Sequence, residues 1–295
     1  MKSMWKIDYH IHTIFSDGGS NPRQIVKTAA EQGMDAVAIT DHDGIDGVDE
    51  AMKAGRDYGI EVASGIELAT EYENGDVLHI LGYGFDPRNK LLNDSLTYMT
   101  EERNKRNLKL VRLLQEMGCD ITMDAILKGR KNTFVGKPNI ARYLQEKGYV
   151  EDWLDAFKPG EFLESSEAKK IKKVKVDSRE AVKTITAAGG IAVLAHPIQA
   201  KGWTEPDDEN YYKKIDTIVA DLKKEGLSGI ECYHPDQDRA QTLRFLDIAQ
   251  KYGMKVSRGT DFHYADYHNT KMTADYIEEG NADGYGVYPR DFIKV

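Results

Sequence analysis

Short apolar runs alternate with amphipathic stretches along the first third of the chain. "WKIDYH" (5–10) reads as a strand. "NPRQIVKTAAEQG" (21–33) carries apolar positions at helical spacing, with Asn21 placed as cap, Pro22 in the first turn and Gly33 at the end. "DAVAITDHD" (35–43) is a buried strand, "GVDEAMKAGRDYG" (47–59) a second helix, and "IEVASGIEL" (60–68) a third strand with "DVLHILGYG" (76–84) as its partner. From about Asp86 to Val176 the pattern turns into nearly continuous helix and loop, in "EERNKRNLKLVRLLQEMG" (101–118), "MDAILKG" (123–129), "KPNIARYLQEKG" (137–148) and "VEDWLDAF" (150–157). The earlier rhythm then returns. "SREAVKTITAAGG", "NYYKKIDTIVADLKKEG" and "DRAQTLRFLDIAQKYG" are helices, each followed by a strand: "IAVLAH", "LSGIECYH" and "KVSRGTDFH". This alternation predicts an α/β fold on a parallel sheet or barrel, over 1–86 and 177–295, with an inserted, mainly helical subdomain over 87–176.

A chain of 295 residues is long enough to bury a proper core. No apolar run approaches the ~18 residues of a membrane span, so a membrane partner is not expected. Cys119 and Cys232 are too few and too isolated for a disulfide framework or a zinc finger, and the expected location is a reducing cytoplasm. The net charge of −9, with no long basic tract, argues against a stable nucleic-acid complex. It does not exclude small anions, because the field at a site is set by its nearest ions.

The eight histidines give the pattern its chemical content. His10 and His12 end the first strand, and residues two apart on a strand share a face. His42 ends the second strand, and His79 lies in the fourth. His196, His234 and His263 end the three late strands; His268 alone stands away from them. In βα barrels such strand ends line one mouth. Carboxylates accompany them: Asp17, Asp41 and Asp43 beside His42, Glu67, and Asp261. A pocket of imidazoles and carboxylates without thiolate suits Mn, Fe or Zn, and more than four candidate ligands imply more than one ion.

Any one of these histidines alone reads more readily as a hydrogen-bonded core or surface residue; their coincidence carries the weight. Asp41 reads as support that fixes an imidazole tautomer, and Asp43 equally as a cap on the next helix. The basic residues of "EERNKRNLKLVR" read as a solvated face opposite Leu108, Val111 and Leu114. Lys137 and Arg142 stand where an insertion can reach the mouth, and a surface role balances that reading. His234 is either a substrate contact or a loop hydrogen bond.

His10-Ile11-His12 with Asp17, Thr40-Asp41-His42-Asp43, Glu67, His79, "LAHP" at His196 and "GTDFH" with Asp261 and His263 resemble, in order, the motifs of the PHP (polymerase and histidinol phosphatase) family. The resemblance is to its stand-alone phosphoesterase branch with a helical insertion. It implies a distorted (β/α)7 barrel holding two or three divalent ions. One ion would take His10, His12, Glu67 and Asp261; a second Glu67, His79 and His196; a third Asp17, His42 and His263. A water acidified by the ions attacks phosphorus, Arg142 or Lys137 holds phosphate oxygens, and His234 protonates the leaving alkoxide. The implied substrate is a small phosphorylated molecule: a nucleoside monophosphate, a nucleoside 3′,5′-bisphosphate or a short oligonucleotide end. The alternatives are a histidinol-phosphate phosphatase and, from another class, a non-catalytic metal-binding regulatory module. All nine implied ligand positions are filled, which weighs against the last. Oligomeric state is left open.

Overall fold

The computed structural model describes residues 6–130, 132–206 and 208–264; His268 lies outside them. Along these residues the chain runs β1 (Ile7–Ile11), α1 (Pro22–Glu31), β2 (Ala36–Ile39), α2 (Val48–Tyr58), β3 (Glu61–Glu71) and β4 (Val77–Tyr83). Then come α3 (Lys90–Glu116), α4 (Met123–Leu127), α5 (Lys137–Glu146), α6 (Ser166–Lys170) and a two-residue β5 (Val176–Asp177). The last part runs α7 (Ser178–Ala187), β6 (Ile191–Leu194), α8 (Glu209–Lys224), β7 (Leu227–Tyr233), α9 (Arg239–Tyr252) and β8 (Lys255–Arg258).

The main sheet has the order β1-β2-β3-β4-β6-β7-β8, with β5 beside β3. β1 and β2 are buried throughout, as strands covered on both faces must be. The sheet curls far enough that the segment beyond β8 meets β1: His12 N–H donates to Phe262 O at 2.8 Å, and Phe262 N–H donates to His10 O at 3.2 Å. The fold is therefore a distorted α/β barrel.

One strand departs from a parallel pattern. β4 runs antiparallel to both β3 and β6, because only a tight turn at Glu73–Gly75 separates it from β3, too short for a helical crossover. Asn74 enters that turn in the left-handed region at φ 61°.

The helices begin and end where their sequences favour it. Asn21 accepts from Gln24 N–H to cap α1, and Gly59 (φ 72°) closes α2 in the left-handed conformation. α3 starts at Lys90, well before the stretch the charge pattern marks, because Leu92, Leu96 and Met99 continue its buried stripe. "VEDWLDAF" forms a 3-10 turn (Trp153–Phe157) instead of an α-helix. A further hydrophobic cluster, separate from the two that pack around the sheet, gathers Leu110, Leu114, Ile126, Ile140, Leu144, Trp153 and Leu163. Leu108 is exposed and does not join the stripe formed by Val111 and Leu114.

Candidate active site

The strand ends converge. His10 and His12 close β1, His42 follows β2, Glu67 sits on β3, and His196, His234, Asp261 and His263 follow β6, β7 and β8. His79 comes from near the start of β4, and the reversal of that strand is what brings it to the same mouth: it lies opposite Ala69, two residues beyond Glu67.

Glu67, fully buried, is the hub. Its carboxylate lies 2.7 Å from His79 Nδ1, 2.8 Å from His42 Nδ1, 2.9 Å from His196 Nε2, 3.3 Å from His12 Nε2 and 3.4 Å from His10 Nε2. Asp261 Oδ1 stands 3.0 Å from His12 Nε2 and 3.4 Å from His10 Nε2. Asp17 lies 3.2 Å from His263 Nε2 and 3.8 Å from His42 Nε2. Three groups bring one ligand atom per residue within 4.8 Å of one another: His10, His12, Glu67 and Asp261; His12, Asp17, His42 and His263; His42, Glu67 and His79. His196 reaches Glu67 without joining the third group.

Several of these buried atoms, His10 Nε2, His12 Nε2, His42 Nδ1, Glu67 Oε2, Asp17 Oδ1 and Asp261 Oδ1, lack a well-formed hydrogen bond. Buried polar atoms are costly when unsatisfied, and a convergent set of nitrogen and carboxylate lone pairs is what divalent cations satisfy. The residues fit such ions.

Electrostatics support this. Burial opposes charge on His42, but Glu67 and then Asp17 outweigh it and lift the imidazole to about 10. Burial likewise opposes charge on His263, and Asp17 and Asp261 lift it to about 9. Glu67 is held well below the ordinary carboxylate range, its burial overcome by His42, His79 and His10. At His79 burial prevails, and the imidazole is pushed down.

His234 is buried, with Nε2 4.0 Å from Asp261 Oδ2. Its Nδ1 accepts from Asp236 N–H at 3.2 Å, and burial pushes its pKa down to about 4, so it is neutral with the proton on Nε2.

The supporting residues differ from expectation. Asp41 reaches an imidazole only through Ser16, whose Oγ donates to it and lies 3.4 Å from His12 Nδ1; it also accepts from Thr13 N–H and Thr13 Oγ1 and so shapes the loop after β1. Asp43 does not cap α2, whose N-cap is Gly47. In the left-handed region at φ 48°, it accepts from Arg103 Nη2 at 2.9 Å and Lys173 Nζ at 2.5 Å. Arg103 is accordingly buried and not part of a solvated face. Asp261 is also left-handed, at φ 52°. Such conformations suit aspartate better than most residues and concentrate at functional sites.

Glu231 on β7 has no role in the strand-end pattern, yet it orients the centre. Fully buried, it places both carboxylate oxygens 3.1 Å from His10 Nδ1 and accepts from His196 N–H at 2.7 Å. An ionised carboxylate only accepts, so His10 Nδ1 keeps its proton and Nε2 faces the cluster.

A cavity of about 470 Å³ opens beside Asp17, His42 and His79, and Lys137 lines it. Lys137 Nζ donates to Leu163 O at 3.1 Å and lies 3.5 Å from Glu164. Arg142 lies elsewhere, stacked 3.5 Å from the Tyr264 ring centroid and 4.5 Å from that of Trp153, and lines a different cavity with Arg130.

With this geometry in view, comparison defines a class: metal-dependent phosphoester hydrolases of the α/β barrel type. The chain belongs to the PHP domain family, whose model matches residues 8–168. A 5′-3′ exoribonuclease of Haemophilus influenzae is 32% identical, over 88% of this chain and 90% of its own length. A phosphoribosyl 1,2-cyclic phosphate 1,2-diphosphodiesterase of Eggerthella lenta is 30% identical, over 87% and 93%. A 3′,5′-nucleoside bisphosphate phosphatase of Chromobacterium violaceum is 29% identical, over 88% of each chain. Of solved structures, an amidohydrolase of Chromobacterium violaceum with bound sulfate superposes at TM-score 0.78 with 27% identity, covering 88% of each chain. A proposed metal-dependent phosphoesterase of Bifidobacterium adolescentis superposes at 0.77 with 27% identity, covering 97% and 98%.

Proposed function

We propose that this chain hydrolyses a phosphate ester of a small nucleotide, a nucleoside monophosphate or 3′,5′-bisphosphate, or of a short oligonucleotide end. The observation that carries the reading is the convergence of five imidazoles within 3.4 Å of Glu67, with Asp17, Asp261 and His263 alongside. The relatives named for nucleotide and RNA substrates support the substrate class.

His10, His12, Glu67 and Asp261 would hold one ion; His79 and His196 would share Glu67 toward a second, with His42 close by; Asp17, His42 and His263, with His12 in reach, would hold a third. The donor set suits Mn, Fe or Zn. Bound ions of this kind acidify water and neutralise phosphate charge. The chain's own groups do the rest. Glu231 fixes the His10 tautomer and ties it to the His196 backbone. Lys137, which lines the cavity, would turn from Leu163 and Glu164 to meet phosphate oxygens. His234, neutral, offers its Nε2 proton as a hydrogen-bond donor to the leaving oxygen. Arg142 braces the Tyr264 and Trp153 rings. Segment 87–176 is joined to the barrel through α3, whose Leu92, Leu96 and Met99 pack in the barrel core, while a cluster of its own forms farther on, and its Arg103 reaches Asp43 next to His42.

The test is phosphate or nucleotide release by Mn²⁺-loaded protein from nucleoside monophosphates, nucleoside 3′,5′-bisphosphates, 5′-phosphorylated short RNA and histidinol phosphate, with Asp261→Asn as control. Release from nucleotides or RNA, lost in the control, is the expected result. Release confined to histidinol phosphate overturns the substrate class, and metal binding without any release overturns catalysis.

A further inference from the structure

The cavity beside His42 and His79 is far more basic than a single scissile phosphate needs. In a chain of net charge −9, Arg103, Arg106, Lys172, Lys173 and Lys175 line it together, joined by Lys137 and Lys169. Asp17, Asp43 and Glu71 are the lining carboxylates. Asp43 is already engaged by Arg103 and Lys173, and Lys137 and Lys169 share Glu164. Arg106 donates to the neutral Asn107 side chain, and among the described residues no carboxylate lies within ion-pair distance of Lys172 or Lys175.

Burial and like charge both act against the cations gathered here. Burial and the adjacent Arg103 push the Arg106 guanidinium down to about 10. Burial and Lys173 push the Lys175 ammonium down as well. Repulsion of this kind is relieved by an anion that fills the space. The volume falls within the usual range for small-ligand sites, and the cavity is continuous with candidate metal ligands.

We propose that Arg106, Lys172 and Lys175 form a subsite for a second phosphate of the substrate, held while the scissile phosphate lies on the metal cluster. This rests on the phosphoesterase reading and narrows it: the preferred substrate carries two phosphate groups about one nucleoside apart. The second group comes either from a nucleoside bisphosphate or from the 5′-terminal phosphate of an RNA whose first internucleotide linkage lies on the cluster. Lys172 is exposed and Lys175 half-buried on the segment between α6 and β5, so removing their charges leaves the three hydrophobic clusters intact.

The experiment compares Mn²⁺-loaded parent, Lys172→Gln/Lys175→Gln, the charge-retaining Lys172→Arg/Lys175→Arg, and Lys213→Gln on the remote face of α8. Substrates are adenosine 5′-monophosphate, adenosine 3′,5′-bisphosphate and a 5′-phosphorylated diribonucleotide. The glutamine pair is expected to raise KM for the doubly phosphorylated substrates by about tenfold more than for the monophosphate, the size of one charge-assisted hydrogen bond. kcat changes little, the arginine pair restores the parent KM, and Lys213→Gln behaves as the parent. Whether the bisphosphate or the diribonucleotide loses more tells which source supplies the second group. Equal losses on mono- and doubly phosphorylated substrates overturn the subsite, as does no loss at all.

Calorimetric titration with adenosine 3′,5′-bisphosphate separates this claim from the activity. If the parent turns over nothing yet binds the bisphosphate more tightly than the monophosphate, and the glutamine pair abolishes that preference, the subsite stands and the hydrolase reading falls. Equal binding of both nucleotides by an inactive parent overturns the subsite too.

Discussion

Replacing Glu231 by glutamine tests how the metal cluster is organised with almost no change in shape. Glu231 supports His10 through two oxygens at 3.1 Å from Nδ1 and supports the His196 backbone N–H at 2.7 Å. A glutamine carbonyl can accept one of these donors. Its amide then points two hydrogens at the other. If His10 Nδ1 is the one opposed, the ring relieves the clash by moving its proton to Nε2, the nitrogen that faces Glu67 and Asp261. The loss is one buried charge-assisted hydrogen bond, ~1.5–3 kcal/mol. That agrees with the ~10–100-fold drop in metal affinity that follows loss of a partner to a ligating histidine. The assay is calorimetric Mn²⁺ titration of chelator-stripped Glu231→Gln and parent at one neutral pH, with metal content of the purified proteins measured alongside. Parent-like affinity and metal content would refute the claim that Glu231 sets the His10 tautomer for the ions.

Three further outcomes follow from the same contacts. His42 and His263 titrate near 10 and 9 in the metal-free fold, against ~6.5 when unfolded; their contribution to stability is full below pH ~6.5 and is lost as pH rises through those folded values. Metal must displace both protons near neutrality, so Mn²⁺ affinity is expected to climb with pH by up to about a hundredfold per unit, with proton release seen in buffers of different ionisation enthalpy; a flat pH profile contradicts this. Gly259→Ala puts a methyl against His10 and Glu231 where β8 ends, and is expected to cost ~1–3 kcal/mol in chemical denaturation and to weaken Mn²⁺ binding, whereas parent-like behaviour in both means the seam can relax. Asp43→Ala leaves Arg103 and Lys173 buried without their shared carboxylate, for an expected loss of ~3–5 kcal/mol; a denaturation midpoint matching the parent shows that the two cations find other partners.

Much of the centre was legible because its chemistry falls at strand ends, where the apolar pattern breaks and an imidazole stands out, as at His10, His42 and His196. Glu231 was harder to see because it lies within an apolar strand, between Ile230 and Cys232, instead of after one. Its signal was available all the same: a lone carboxylate in a buried run has to be paired. Arg103 and Asn107 carried a similar clue, since both fall on the stripe that Leu92, Leu96, Met99, Leu110 and Leu114 mark along α3. Reading them with their charged neighbours hid that spacing. The direction of β4 was implicit in the short link from β3, whereas Lys172 and Lys175 sit in a segment without periodicity, and only tertiary structure reveals what they face.

The tight turn between β3 and β4 has a consequence for access. Elsewhere around the barrel a helix typically fills the interval from one strand to the next; here the rim drops to a hairpin tip, and Glu71, Gly75 and Val77 border the opening. Lengthening this tip by a few residues is thus a means of narrowing the entrance and filtering ligands by size, while the strand register and the histidine cluster behind it stay as they are.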